Sequence, residues 1–267
     1  MPTVPQLMDF KGRTALITGG TGHIGRQAAL IMADLGAAVA LMDLHEDACA
    51  SAAQEVTQAC NGTVLTAPCD LSDDNALKQA AAKALKELGR LDILINCAAF
   101  VGTSNLEGWV VPFEEQSVQT WRAALEVNLT APFVLSQACA PALKASGHGS
   151  IINIGSIYGM AGPDMRLYQG TGMGNPAAYA ASKGGLLQLT RWLATVLAPE
   201  VRVNCISLGG VWRNQPQDFV ERYIARTPLG RMAEEKDVLG ALVYLASDMS
   251  TYVTGHNLVL DGGYTAW

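Results

Sequence analysis

Tyr179 and Lys183 stand at i and i+4 in the run Tyr179-Ala180-Ala181-Ser182-Lys183. On a helix that spacing places both side chains on one face, here close to the helix start. A phenol ordinarily ionises near pH ~10. A neighbouring ammonium and a positive helix end both favour phenolate, which suits the group to proton transfer. Ser156, after a strand-like run, has a hydroxyl fit to hydrogen-bond a substrate carbonyl or alkoxide. Asn128 is polar inside a long helical pattern where an apolar residue packs more easily, and is suited to holding a water in a proton relay. A Tyr–Lys pair alone is commonly surface dressing, so its meaning rests on its surroundings.

Those surroundings begin with Thr18-Gly19-Gly20-Thr21-Gly22-His23-Ile24-Gly25, between the first strand-like run and the first helical pattern. Glycines there let the backbone turn sharply and approach a pyrophosphate, and the helix N-terminus offers free N–H groups. Asp43 ends the second run, 24 residues after Gly19. An acidic side chain at that place accepts from both adenosine-ribose hydroxyls and repels a 2′-phosphate, although it also serves as a helix N-cap. No Lys or Arg follows it, so NAD is expected rather than NADP, with Arg26 and His45 the side chains that argue the other way. Asp70-Leu71 is placed to hold the adenine edge, and Asn96-Cys97-Ala98-Ala99 to lie along the cofactor, because ligands of open α/β sheets bind at strand C-termini.

The elements that must position these residues alternate. Continuous apolar runs at 14–18, 37–42, 63–67, 91–95, 150–154, 201–206 and 257–260 read as strands buried on both faces. Helical patterns span 24–35, 46–59, 73–88, 118–143, 177–197 and 234–246, with Ser72-Asp73-Asp74 opening one and Asn175-Pro176 read as N-cap and N1 of another. The alternation predicts an α/β fold: a doubly wound, Rossmann-type parallel sheet in one domain over residues 1–267.

Composition narrows the function. A net charge of −6 argues against nucleic acid as a partner. Apolar stretches are broken by charge, so no membrane span is expected, and the first ten residues lack a signal-peptide pattern, so a cytoplasmic location is expected. The six cysteines form no Cys-x-x-Cys pair and the four histidines no i,i+4 pair, so buried reduced thiols and no metal are expected.

With the Gly-rich turn, Asp70, Asn96-x-Ala98, Asn128-Leu129, Ile152-Asn153-Ile154-Gly155-Ser156, Tyr179-x-x-x-Lys183, Val201-Arg202-Val203-Asn204 and the tail Val253-Thr254-Gly255…Asp261-Gly262-Gly263, the chain resembles the short-chain dehydrogenase/reductase family. The resemblance implies a catalytic set of Asn128, Ser156, Tyr179 and Lys183, with Lys183 also gripping the nicotinamide ribose. It implies hydride transfer between the cofactor and a carbonyl carbon while Tyr179 gives or takes the proton. It extends the cofactor contacts (Gly19, Thr21, Gly22, His23, Ile24, Gly25, Asp43, Asp70, Leu71, Asn96 and Ala98) to Leu44, Gly209 and Val211. It also implies a homotetramer, with the C-terminal strand and the helices at 118–143 and 177–197 at subunit contacts.

The chain departs from the family in four places. His23 stands in the glycine turn, giving a spacing similar to the extended subclass, many of whose members act on nucleotide-linked sugars, yet the tail resembles the short form and the short-form architecture is expected. Ser156 and Tyr179 lie 23 residues apart, a longer gap than usual, and the polar insertion Pro163–Pro176 reads as a substrate wall. Leu208-Gly209-Gly210 replaces the usual Pro-Gly, and Arg213 falls where a Thr is common, within a lid region around 209–230. Ala99 replaces a Gly. Arg213 and Arg166 suit an anionic substrate group, a cofactor phosphate or solvent.

Ser156-Ile157-Tyr158-Gly159, Tyr168 before Pro176, and Gly209-Gly210-Val211-x-x-Asn214-Gln215-Pro216 look like bacterial oxidoreductases of surface-sugar and flagellin-glycan pathways. That points to a small, sugar-like polyol, acidic forms included, with Tyr158, Tyr168, Trp212 and Trp109 placed to stack on a ring. The expected activity is interconversion of a secondary alcohol and a ketone. A sugar dehydratase or epimerase that retains NAD, and a non-catalytic dinucleotide sensor, are the alternatives. Enoyl reduction is not expected, because its wider spacing needs Lys at 186, which is Leu.

Overall fold

The computed structural model describes residues 1–60, 62–102 and 104–267. Its strands are β1 (Thr14–Thr18), β2 (Ala38–Met42), β3 (Val64–Thr66), β4 (Ile93–Asn96), β5 (Gly149–Ser156), β6 (Val201–Leu208) and β7 (Asn257–Leu260). They form one parallel sheet in the order β3-β2-β1-β4-β5-β6-β7. The helices are α1 (Val4–Leu7), α2 (His23–Asp34), α3 (Glu46–Cys60), α4 (Asp74–Leu88), α5 (Val118–Leu125), α6 (Ala131–Ser146), α7 (Ala177–Val196), α8 (Gln217–Ile224) and α9 (Lys236–Ala246).

Both faces of the sheet are covered, which explains why its strands read as unbroken apolar runs. Ala15 and Ile17 pack with Ala28 and Met32 of α2 and with Leu242 and Leu245 of α9. Leu16, between them, points to the other core, with Leu77, Leu135 and Leu193 of α4, α6 and α7. Period-two alternation along each strand therefore feeds two apolar layers. The order reverses between β1 and β4, opening a crevice at the strand C-termini where doubly wound sheets bind ligands.

Helix ends follow local chemistry. Asp73 caps α4 by accepting from the N–H groups of Asn75 and Ala76, and Gly89 closes it at φ +74°. At α7 the expected Asn175 cap is not formed: Pro176 is the N-cap and Ala177 begins the helix. The single helix expected over 118–143 is divided into α5 and α6 by a π-turn, Glu126–Thr130. Pro132 lies four residues beyond Asn128 and has no N–H to donate back to it, so the regular ladder is interrupted there. The amphipathic α8 went unrecognised in the sequence because Gln217, Asp218, Glu221 and Arg222 dominate its short run.

Candidate active site

The glycine turn is built so that no larger residue fits. Gly19 has φ +65°, and a Cβ on it would lie 2.8 Å from the Ala98 backbone, while one on Gly25 would lie 2.1 Å from the Gly19 carbonyl. The turn thus packs β1, the start of α2 and the end of β4 into mutual contact. Gly22 caps α2 with no side-chain acceptor, leaving the helix N-terminus open to the crevice. The Thr18 hydroxyl accepts from the N–H groups of Cys97 (3.0 Å) and Ala98 (3.2 Å), fixing the loop after β4. Glycines that a Cβ would displace, together with an uncapped helix end, fit a dinucleotide pyrophosphate.

From this turn a cavity of about 790 Å³ runs along the strand C-termini to Tyr179. It brings together Gly19, Thr21, Gly22, His23, Ile24, Gly25, Asp43, Leu44, Asp70, Leu71, Ala98, Gly209 and Val211 with Ser156, Lys183, Tyr158, Tyr168 and Arg213. One Asp43 oxygen accepts from the Thr21 N–H at 3.0 Å and its hydroxyl at 2.6 Å; the other accepts from the Leu44 N–H at 2.8 Å. Ser72 donates to Asp70 through both N–H (2.8 Å) and hydroxyl (2.7 Å), which holds the Asp70 carboxyl below the usual range.

At the chemical end, α7 carries Tyr179 and Lys183, and the end of β5 carries Ser156. The Lys183 ammonium is buried, donates to the Ile154 carbonyl at 2.7 Å and lies 5.8 Å from the centre of the Tyr179 ring. Burial lowers its pKa. Burial is also the largest influence on the Tyr179 phenol and pushes it up; a hydrogen bond with Ser156 works downward, and nearby Tyr168 upward. The lowering of Tyr179 expected from Lys183 does not appear, and loss of water around the phenol dominates.

Asn128 sits in the π-turn and does not touch the cavity. Its side chain accepts from the Phe100 N–H at 2.7 Å and donates to the Phe100 carbonyl and the Ser182 hydroxyl, each at 3.0 Å. It ties the loop after β4 to α7, making it a positioning residue for the helix that carries Tyr179. Asn96, expected along the cofactor, instead turns into the core and donates to Asn153 at 2.8 Å.

Three substrate expectations also change. Arg166 is exposed and paired with Asp164 at 2.8 Å, outside the cavity, because a carboxylate two residues away holds its guanidinium. Trp212 is half exposed and outside the lining as well. Trp109 is buried and donates to the Val101 carbonyl at 2.8 Å, so it packs rather than stacks on a ligand. Arg213 does line the cavity, but already pairs with Glu235 at 2.7 Å, and the same Glu235 oxygen lies 3.6 Å from His23 across the mouth. Residues not singled out from the sequence also form walls: Asn175, Gln215, Phe219 and Tyr223. Phe219 and Tyr223 had a signal, aromatic residues at i,i+4; Asn175 was obscured by its reading as a cap.

A glycine-cradled dinucleotide crevice joined to a Ser–Tyr–Lys cluster defines the class, a nicotinamide-dependent α/β oxidoreductase. A family model described as "Enoyl-(Acyl carrier protein) reductase" matches residues 20–265. The chain is 35% identical over 260 residues to a trans-4-hydroxycyclohexanecarboxylate dehydrogenase of Sinomonas cyclohexanicum, covering 95% of this chain and 93% of that one. It is 33% identical to a 2,5-dichloro-2,5-cyclohexadiene-1,4-diol dehydrogenase of Sphingobium indicum, covering 95% and 96%. A solved short-chain type dehydrogenase/reductase from Mycobacterium marinum superposes with a TM-score of 0.87 at 30% identity over 100% of both chains. The chain belongs to the short-chain dehydrogenase/reductase family, and both of these relatives are named as dehydrogenases of hydroxylated six-membered rings.

Proposed function

We propose that this chain is an NAD-dependent oxidoreductase that interconverts a secondary alcohol and a ketone on a hydroxylated, sugar-like ring or polyol. The reading is carried by one observation: Asp43 and the glycine turn share a continuous cavity with Ser156, Tyr179 and Lys183. A bound nicotinamide dinucleotide supplies the hydride donor or acceptor.

The protein's own groups do the rest. Tyr179 Oη gives a proton to the forming alkoxide in reduction and takes it back in oxidation. Ser156 Oγ donates to the same substrate oxygen. Lys183, held by the Ile154 carbonyl, places a positive charge beside the phenol and the ribose. Asn128 keeps α7 and the loop after β4 in register. Gly19, Gly22 and the N-terminal residues of α2 receive the pyrophosphate, and Asp43 receives the adenosine ribose.

NAD is favoured by Asp43 and by the engagement of Arg26, which donates to the Thr21 carbonyl at 3.0 Å and pairs with Glu55 at 3.0 Å instead of standing free for a phosphate. The ring preference draws support from two relatives named for cyclohexane and cyclohexadiene alcohols. The insertion Pro163–Pro176 and the lid around 209–230 wall the substrate end. Exposed Trp121, Phe133 and Trp192 on α5–α7 and Val259 on β7 support a homotetramer, which light scattering tests. Reduction of NAD beside NADP with cyclic alcohols and polyols tests the main reading: NADH should accumulate. Product formation without net NADH would favour the dehydratase or epimerase alternative.

A further inference from the structure

The cavity wall at the substrate end is formed by Tyr158, from the turn after β5, and by Tyr168 and Asn175, from the insertion. The two phenol oxygens lie 2.8 Å apart. Tyr168 turns its ring against Phe219, with centroids 5.4 Å apart. That side of the Tyr168 ring is thus occupied by the protein.

The hydrogen-bonding capacity of this wall can be counted. Burial raises the pKa of both phenols, so both are neutral. Two neutral phenols hold two protons, and one lies between the two oxygens. Asn175 lines the same wall, and its Oδ1 is buried without a partner. One phenol O–H and the Asn175 carbonyl oxygen are therefore unpaired in the same wall. The wall shares its cavity with Tyr179 and Ser156.

A donor and an acceptor in one wall are complementary to one simple group, a neutral hydroxyl, which gives one hydrogen bond and takes another. A carboxylate only accepts, so its charge would face the amide oxygen. A hydrocarbon would leave both functions unmet in a buried site. We propose that Tyr158, Tyr168 and Asn175 form a subsite for a second, non-reacting hydroxyl of the substrate. The substrate class is then a diol or polyol in which one hydroxyl is oxidised and another is held at this wall. This rests on the secondary-alcohol reading above.

The test compares kcat/KM for cyclohexanol with that for 1,2-, 1,3- and 1,4-cyclohexanediol, in the wild type and in Tyr158→Phe, Tyr168→Phe and Asn175→Ala. Dinucleotide binding, read by tryptophan fluorescence, reports that each variant is folded. At least one diol should exceed cyclohexanol by about tenfold or more, the range set by leaving a buried hydrogen-bonding group unmet. That ratio should narrow in all three variants. Turnover of cyclohexanol with no diol advantage, or a diol advantage that persists in every folded variant, overturns the subsite and leaves the secondary-alcohol reading standing. Failure of every cyclic alcohol in a protein that binds NAD overturns both.

Discussion

Asp43 accepts both hydrogen bonds that Thr21 offers, from its N–H at 3.0 Å and its hydroxyl at 2.6 Å. The carboxylate is thereby pinned to the glycine turn and cannot swing away from an adenosine ribose. A 2′-phosphate would meet a fixed negative charge, and like charges in contact cost several kcal/mol. Asp43→Asn keeps most of the hydrogen bonds and removes the charge. The ratio of kcat/KM for NAD to that for NADP should fall at least about tenfold in this variant. An unchanged ratio would remove Asp43 from cofactor choice.

Tyr179→Phe should lower kcat by roughly a hundredfold or more, the scale of a lost general acid/base, with dinucleotide affinity near that of the wild type. Because burial raises the phenol above its ordinary range, it is protonated at neutral pH and ready to act as an acid. Oxidation needs the deprotonated form, so kcat/KM for alcohol oxidation should climb steadily from pH 7 to pH 9.5, whereas ketone reduction should not. Stopped initial rates in both directions check this; a flat oxidation profile would count against Tyr179 as the base.

Asp164 ties the insertion to the body of the protein by pairing with Arg226 just beyond α8, and it also pairs with Arg166 inside the insertion. Arg166, foremost, holds the Asp164 carboxyl at about 2, below its ordinary value of about 4. A lowered carboxylate contributes stability above its unfolded pKa and loses it as pH falls toward the folded one. The tie should therefore weaken between about pH 4 and pH 2. At neutral pH, Asp164→Asn should speed hydrogen exchange across 163–176 with little change in the sheet. Equal exchange in the two proteins would show that the loop is held by its other contacts.

All six cysteine thiols are pushed up, to about 11 at Cys69 and about 12 at Cys97 and Cys139, with burial the largest cause. Since the thiolate is the nucleophile, iodoacetamide at pH 8 should label the native protein slowly, and all six sites should react after unfolding. Cys97 is the informative site because it lines the cofactor cavity. Its rapid alkylation in the native protein, read by mass spectrometry, would contradict the assigned environment.

Much of the architecture was legible because each layer leaves its own period. β1 and β7 have the bounds that their apolar runs indicate, and the shared cavity collects most residues of the glycine turn, Asp43, Ser156, Tyr179 and Lys183. What was not legible depends on side-chain direction. Asn96 is the last residue of β4, where a turn about one bond decides between cofactor and core. Arg166 has guanidinium chemistry suited to an anion, yet the nearest anion is its own neighbour Asp164. The π-turn at Glu126–Thr130 is hidden in a pattern that stays helical on both sides. Asn175 shows its part only when the insertion folds back beside Tyr168.

Arg222 and Arg226 lie one turn apart, and both grip the insertion: Arg222 through the carbonyls of Leu167 and Gln169, Arg226 through Asp164. With Tyr168 against Phe219, the insertion and the α8 region form a single block resting on the open end of the crevice. Of the proposed recognition groups, Tyr168 and Asn175 belong to the insertion held by this block, while Tyr158 follows Ser156 in the chain. Exchanging the two recognition segments as a matched cassette would alter what the enzyme selects while leaving its reaction intact; exchanging either one alone would break their mutual fit.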